Sequence, residues 1–294
     1  MIRLPCAMVA AFMLFAAPAS AQTFSSVTFS ADKLSRSISD DDVRITLAAR
    51  QDAELDSLIT VSAAIRIPGF APFTLDEGDP ANIAFARQIA IGKLAKADAA
   101  PSVLFQTFTG GAHCCAQLWA VVPMGGKLET VKFGLLDGDG IDAFPVDIDG
   151  DDVVDFILKD DRFNYAFSSY AGSFAPPQIF NVIQGKLVDV SARESFAGTF
   201  EQTADEARAL CADTENSDRN GACATYVAAS ARVGKFDTAI RHASALAAKG
   251  GEIFLPTACT VPLVDGSCPD DKEKSFPDFE SALRWFLRDA GYIR

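Results

Sequence analysis

Phe144-Pro-Val-Asp-Ile-Asp-Gly-Asp-Asp-Val-Val-Asp155 is the most specific text in the chain. Asp147, Asp149, Asp151 and Asp155 stand at positions 1, 3, 5 and 9 of a loop, and an apolar run, Val153–Leu158, leaves it as an expected strand. A tightly turning backbone with that spacing aims alternate carboxylates at one point, and the Val153 carbonyl at position 7 adds a fifth oxygen. A hard cation such as Ca2+ takes six to eight oxygens of this kind. The loop is not an EF-hand: no helix enters it, and position 12 is Leu158 rather than a glutamate. The plain alternative is a solvated acidic turn.

Outward from the loop, residues 22 to about 190 read as strands. Leu58–Ile67, Ser102–Phe108 and Leu118–Val122 are short and rich in β-branched and aromatic residues, and Gly, Pro and Asp separate them. Pro80–Ile91 is the one stretch here expected to be helical. A loose repeat is visible. Ala97–Gln106 leads to Gly126-Lys-Leu-Glu-Thr-Val131, and Asp149–Leu158 leads to Gly185-Lys-Leu-Val-Asp-Val190. In each copy a polar loop, a strand and a hairpin precede a Gly-Lys-Leu turn, and Asp98 is the candidate ligand left in the first copy. Asp137-Gly-Asp-Gly-Ile-Asp142 is a second acidic cluster.

On these residues the segment resembles the FG-GAP/VCBS-type β-propeller repeats, whose blades carry an Asp-x-Asp-x-Asp-Gly-x-x-Asp calcium loop before a strand. The resemblance implies a structural Ca2+ held by Asp147, Asp149, Asp151, Val153 and Asp155. One departure stands out: position 6, where the turn needs positive φ, is Asp152 rather than Gly. Too few blades of this size fit the β region for a full propeller to be required. The expected fold is therefore α+β, with an antiparallel meander, propeller-like or sandwich, followed by a small disulfide-stapled helical domain.

The expected domains are a signal peptide at 1–21, a β-rich domain at 22–198 and a helical domain at 199–294. In the leader, Arg3 precedes an 11-residue apolar stretch, Ala7–Ala17, and Ala19-Ser20-Ala21 has the small-x-small form of a cleavage site. That stretch is too short to span a bilayer, which takes about 20 residues, and no later one approaches it, so no membrane span is expected after cleavage. In the helical part, Thr203-Ala-Asp-Glu206 reads as a capping box. Helices are expected over Ala222–Val233 and, capped by Asp237, over Thr238–Lys249. After Ser275 a last helix carries Phe279, Ala282, Leu283, Phe286 and Leu287 on one stripe, with Phe279, Trp285 and Phe286 read as core. Ala228–Leu246 is similar to the middle of one tetratricopeptide repeat.

Composition limits the function. A net charge of −13 disfavours nucleic acid and anionic lipid, and 49% hydrophobic residues with 23 Phe supply a core. Outside the leader stand Cys114, Cys115, Cys211, Cys223, Cys259 and Cys268. An even number in an exported chain points to disulfides, and short spacing favours Cys211–Cys223 and Cys259–Cys268. Cys114 and Cys115 are left as a vicinal pair, as partners of other cysteines, or as a thiol or metal site with His113. Thr109-Gly-Gly-Ala-His-Cys-Cys115 resembles stretches of exported bacterial proteins, a likeness that carries no activity with it. Two functions compete. One is a periplasmic or secreted soluble, non-catalytic binding or scaffold protein with a structural calcium site and a protein or carbohydrate partner. The other is an exported hydrolase or thiol/redox enzyme centred on His113, Cys114 and Cys115. The lack of a nucleophile elbow, HExxH, CxxC or phosphate loop favours the first.

Overall fold

The computed structural model describes residues 24–294 apart from 31, 41, 55–56, 77–80, 84–86, 112–113, 139, 142, 249–253, 263 and 265–266. The expected signal peptide, His113, and two aspartates of the second acidic cluster, Asp139 and Asp142, lie outside the described residues.

The chain begins with β1 (Ser25–Val27), β2 (Ser35–Asp40), β3 (Val43–Gln51), β4 (Leu58–Arg66), β5 (Phe73–Asp76) and β6 (Ala81–Asn82). In β3 and β4 buried and exposed residues alternate, so Val43, Ile45 and Leu47 face the core with Ile59, Val61, Ala63 and Ile65. This is the period of a sheet with one wet face. Strands β2-β3-β4-β5 form one antiparallel sheet, with β6 also on β4.

A second sheet has the order β1-β7-β8-β9-β10, with β7 at Arg87–Gly92, β8 at Ser102–Phe108, β9 at Cys114–Met124 and β10 at Lys127–Asp137. Its middle strands are buried on both faces. Phe105, Trp119 and Val121 share a core with the first sheet, whereas Leu104, Leu118, Ala120 and Val122 share another with Phe144 and Phe156. Each such large side chain contributes about 1.5–3 kcal/mol by leaving water. The helix expected at Pro80–Ile91 is corrected here: from Arg87 the segment is β7, flanked by β1 and β8. Ile89 and Ile91 point to one buried face and Ala90 to the other, the period of a central strand.

A third sheet, β11 (Phe156–Lys159), β12 (Pro177–Ile183) and β13 (Lys186–Asp189), has the order β11-β12-β13. The strand leaving the acidic loop thus starts at Phe156 rather than Val153. The two copies of the sequence repeat occupy equivalent places, as the meanders β8-β9-β10 and β11-β12-β13. Their hairpins match as well. Gly125 and Gly126 (φ 57° and 82°) and Gln184 and Gly185 (φ 51° and 71°) each make a two-residue turn with both φ positive, the kind whose twist suits a tight hairpin.

Helices follow: α1 (Ala197–Cys211), α2 (Asn220–Arg232), α3 (Phe236–Leu246) and α4 (Phe279–Asp289), with a small ladder of β14 (Ala258–Cys259) and β15 (Glu273–Lys274) before α4. The capping box is corrected: Thr203 lies in the middle of α1 and its hydroxyl donates to Thr199 O at 3.0 Å. The apolar Phe196 and Phe200, both buried, carry the helix about two turns further back. Asp237 sits in the first turn of α3 rather than capping it. Asp278 caps α4 by accepting from Ser281 N at 2.8 Å. Trp285 is half-buried against Phe276. One core cluster joins the helices to Phe163, Phe167, Ile179 and Val190, so the helices pack on the third sheet. Among the described residues no helix is long and apolar enough to cross a membrane. The fold is a mixture of mostly antiparallel sheets followed by helices.

Candidate metal centre

Two bridges pinch the acidic loop. Asp155 N donates to Val146 O at 2.8 Å, and Lys96 N and Val154 N join Asp152 O and Leu94 O, each at 2.9 Å. Within that neck the backbone coils around Asp147, whose carboxylate accepts from Gly150 N (2.7 Å), Asp151 N (3.2 Å) and Asp152 N (2.9 Å). Asp149 accepts from Asp151 N at 3.3 Å and Asp151 from Val153 N at 2.9 Å, the local side-chain-to-backbone bond that makes Asp a turn residue. Gly150 and Asp152 both take positive φ, 78° and 66°. Position 6 therefore adopts the conformation the turn needs without a glycine.

The ligand atoms of Asp147, Asp149 and Asp151 lie within 4.8 Å of one another. Asp155 is outside this group. It is 2% exposed, and its oxygens accept from Ile148 N (2.8 Å) and Asn181 Nδ2 (2.7 Å). Burial pushes its carboxyl up, and the charges of Asp149 and Asp151 add to that against the two hydrogen bonds. Val153 sits in the bridge to Ala95. Asp98 turns away to accept from Ala95 N at 2.8 Å. Asp137 belongs to a different cluster, with Asn164, Tyr170 and the backbone of Gly138 as its donors.

Two residues that sequence reasoning missed close the site. Arg193 Nη1 is 3.0 Å from Asp151 and 4.0 Å from Asp149, and Ser195 Oγ donates to Asp149 at 2.8 Å. Both lie in the connection from β13 to α1, more than 40 residues along the chain, so spacing offered no signal. A guanidinium offsets part of the repulsion among three carboxylates. Hard oxygens in a preformed turn are the donor set that suits Ca2+, and the residues present fit such an ion.

The cysteines pair as Cys114–Cys115, Cys211–Cys223 and Cys259–Cys268. Thr109 braces the first pair: its hydroxyl donates to Cys114 O (3.1 Å) and accepts from Cys115 N (2.8 Å). A Cβ on Gly111 would run into the Cys114 carbonyl, which accounts for a glycine there. The other histidine, His242, packs edge-on against Tyr226 in the helical part.

The sll0997 C-terminal domain family matches residues 200–291, the helical part. The probable thylakoid lumen protein sll0997 of Synechocystis sp. is 35% identical over 198 residues, 66% of this chain and 57% of that protein. The uncharacterized protein y4bJ of Sinorhizobium fredii is 31% identical over 204 residues, 68% of this chain and 31% of that protein. The chain thus spans less than two thirds of the length of these curated relatives. No solved structure matches. Residues 200–291 are similar to that C-terminal domain, and the acidic loop lies outside the matched segment.

Proposed function

We propose that the chain is an exported, soluble, non-catalytic binding or scaffold protein whose acidic loop holds a structural Ca2+. The observation that carries this reading is the gathering of Asp147, Asp149 and Asp151 within 4.8 Å, around a backbone already coiled by Asp147. When bound, the ion supplies a positive charge that removes the mutual repulsion of these carboxylates. Asp155 fixes the strand side of the loop through Ile148 N and Asn181, and it and the Val153 carbonyl would be the remaining ligands. The likeness to FG-GAP/VCBS calcium loops supports the same assignment. So does the paired meander, with the two N-terminal sheets acting as a sandwich that shares one core. The leader-like first 21 residues, the cysteine pairs and the printed description of the Synechocystis relative as a probable thylakoid lumen protein support export to a periplasm-like compartment. The pairing of Cys114 with Cys115 supports the non-catalytic reading over a thiol enzyme.

A second reading rests on Arg193. Its guanidinium is itself a cation for Asp149 and Asp151, and the turn would then need no metal. Calorimetric titration of the chelator-stripped chain with CaCl2 separates the two. Stoichiometric binding, stronger than for MgCl2, is expected; no binding to the folded chain would leave the arginine-closed turn as the answer.

A further inference from the structure

The first sheet turns one face to water, on the side away from the core it shares with the second sheet. Arg44 and Arg50 on β3 and Arg66 on β4 stand out from that face, all exposed. The register sets Arg44 directly opposite Arg66, where Cβ atoms lie about 5 Å apart and like charges work against the ladder. Among the described residues no acidic side chain pairs with any of the three. The floor between them is made of short side chains. Ser37, Thr46, Ala64 and Thr74 form one row across β2-β3-β4-β5, and Ala48, Ser62 and Asp76 lie in the next. A depression of about 400 Å³ opens over that second row and reaches Arg50 and Thr60. Asp76 is the one acid in these rows, so the face is basic on a chain of net charge −13.

We propose that this face binds an anionic glycan, a chain of uronic acid sugars, with one carboxylate held between Arg44 and Arg66 and another met by Arg50. Arg44 and Arg50 are separated by about 20 Å along the strand, so the face takes an extended ligand with spaced charges rather than one small anion. Each guanidinium offers a planar fork that matches a carboxylate, and a carboxylate between Arg44 and Arg66 supplies the counter-charge that their opposed positions lack. The hydroxyls of Ser37, Thr46, Ser62 and Thr74 both donate and accept, which suits a ligand dense in hydroxyl groups, and their small size lets it lie close to the sheet. A protein partner is disfavoured, because its interface would draw on an aromatic or large apolar anchor and these rows hold none. This ligand deepens the binding-module reading proposed above and rests on it, but not on a metal in the acidic loop, which lies on the far side of the second sheet, beside Phe144 and Phe156.

The test uses the full, disulfide-intact chain and hexagalacturonate, followed by calorimetric titration at low salt, with maltohexaose and hexaglutamate as comparisons. Hexagalacturonate is expected to bind saturably and more tightly than either. Arg44→Gln/Arg66→Gln should weaken it about tenfold, the loss of two exposed charge pairs, and should leave the urea midpoint unchanged or higher, because the opposed charges no longer repel. Thr46→Trp keeps every charge and suits a strand, and should weaken binding at least as much by standing on the floor. Asp149→Asn/Asp151→Asn should bind as the native chain does. Calcium content is measured on the same samples, so a chain without calcium that still binds the hexamer would sink the metal reading alone. No binding of hexagalacturonate, equal binding of hexaglutamate, or a loss in the acidic-loop variant in place of the arginine variant would overturn the proposal, and a chain that holds calcium but no glycan would leave the metal reading standing.

Discussion

Asp160→Asn tests how the helices are tied to the sheets. Asp160 sits at the end of β11, its side chain 2% exposed, and accepts from Arg162 Nε at 2.7 Å, Arg162 Nη2 at 2.6 Å and the Tyr292 hydroxyl at 3.0 Å. Arg162 in turn donates to Ala290 O at 3.2 Å, so one carboxylate links the sheet to the residues after α4. The amide keeps the shape but can accept far less and sets an NH2 against the guanidinium. A fully buried pair broken in this way costs about 3–5 kcal/mol. Arg162 is 46% exposed and regains water, which lowers the expected loss to about 2–3 kcal/mol. Tyr292→Phe removes one bond to a charged acceptor, about 1.5–3 kcal/mol. The two should couple, the double variant losing less than the sum. Urea unfolding followed by far-ultraviolet dichroism reads all three. A loss under about 0.5 kcal/mol for Asp160→Asn, the size of an ordinary surface change, or strict additivity, would refute the idea that this carboxylate is the tie.

Replacing both Cys211 and Cys223 with Ala should destabilise the chain by about 3 kcal/mol, as expected for a closed loop of this length; an unchanged urea midpoint would count against the pairing of α1 with α2. Asp161→Asn should flatten the pH profile of stability. Burial holds its native carboxyl above the usual range, so native stability falls as pH rises from the unfolded value through the native one, and the penalty is fully present above the native value. Superimposable profiles for the two chains would show that Asp161 carries no such penalty. Arg193→Ala should raise calcium affinity roughly two- to fivefold, the scale of a half-exposed ion pair, because the ion no longer competes with the guanidinium. An unchanged or weaker affinity in calorimetry would mean that Arg193 and the ion do not share the carboxylates. Native protein should show no fast-reacting thiol with a disulfide-exchange reagent, and a reactive Cys114 or Cys115 would reopen the thiol-enzyme reading.

Local chemistry made much of this legible. The alternation in β3 and β4, the Gly-Lys-Leu turns of the two meanders, and the apolar stripe of α4 are all patterns within a dozen residues. Asp147, Asp149 and Asp151 converge because their own side chains coil the backbone between them. What escaped depends on distant packing. Pro80–Ile91 read as helical because its apolar residues are spaced ambiguously, and only β1 and β8 on either side decide for a strand. Thr203 and Glu206 have the spacing of a cap, yet Phe196 and Phe200 extend α1 past them by burying rings in the sheet interface. Arg193 and Ser195 reach the loop from the far end of β13.

The most direct measurement is metal content together with melting, for the native chain and for Asp149→Asn/Asp151→Asn. The native chain should hold close to one calcium and melt at a temperature that drops on adding EDTA and returns with excess CaCl2, and the variant should hold no ion and ignore the chelator. A native chain free of calcium after dialysis against it, melting at the same temperature with and without EDTA, would mean that Asp147, Asp149 and Asp151 hold no structural ion.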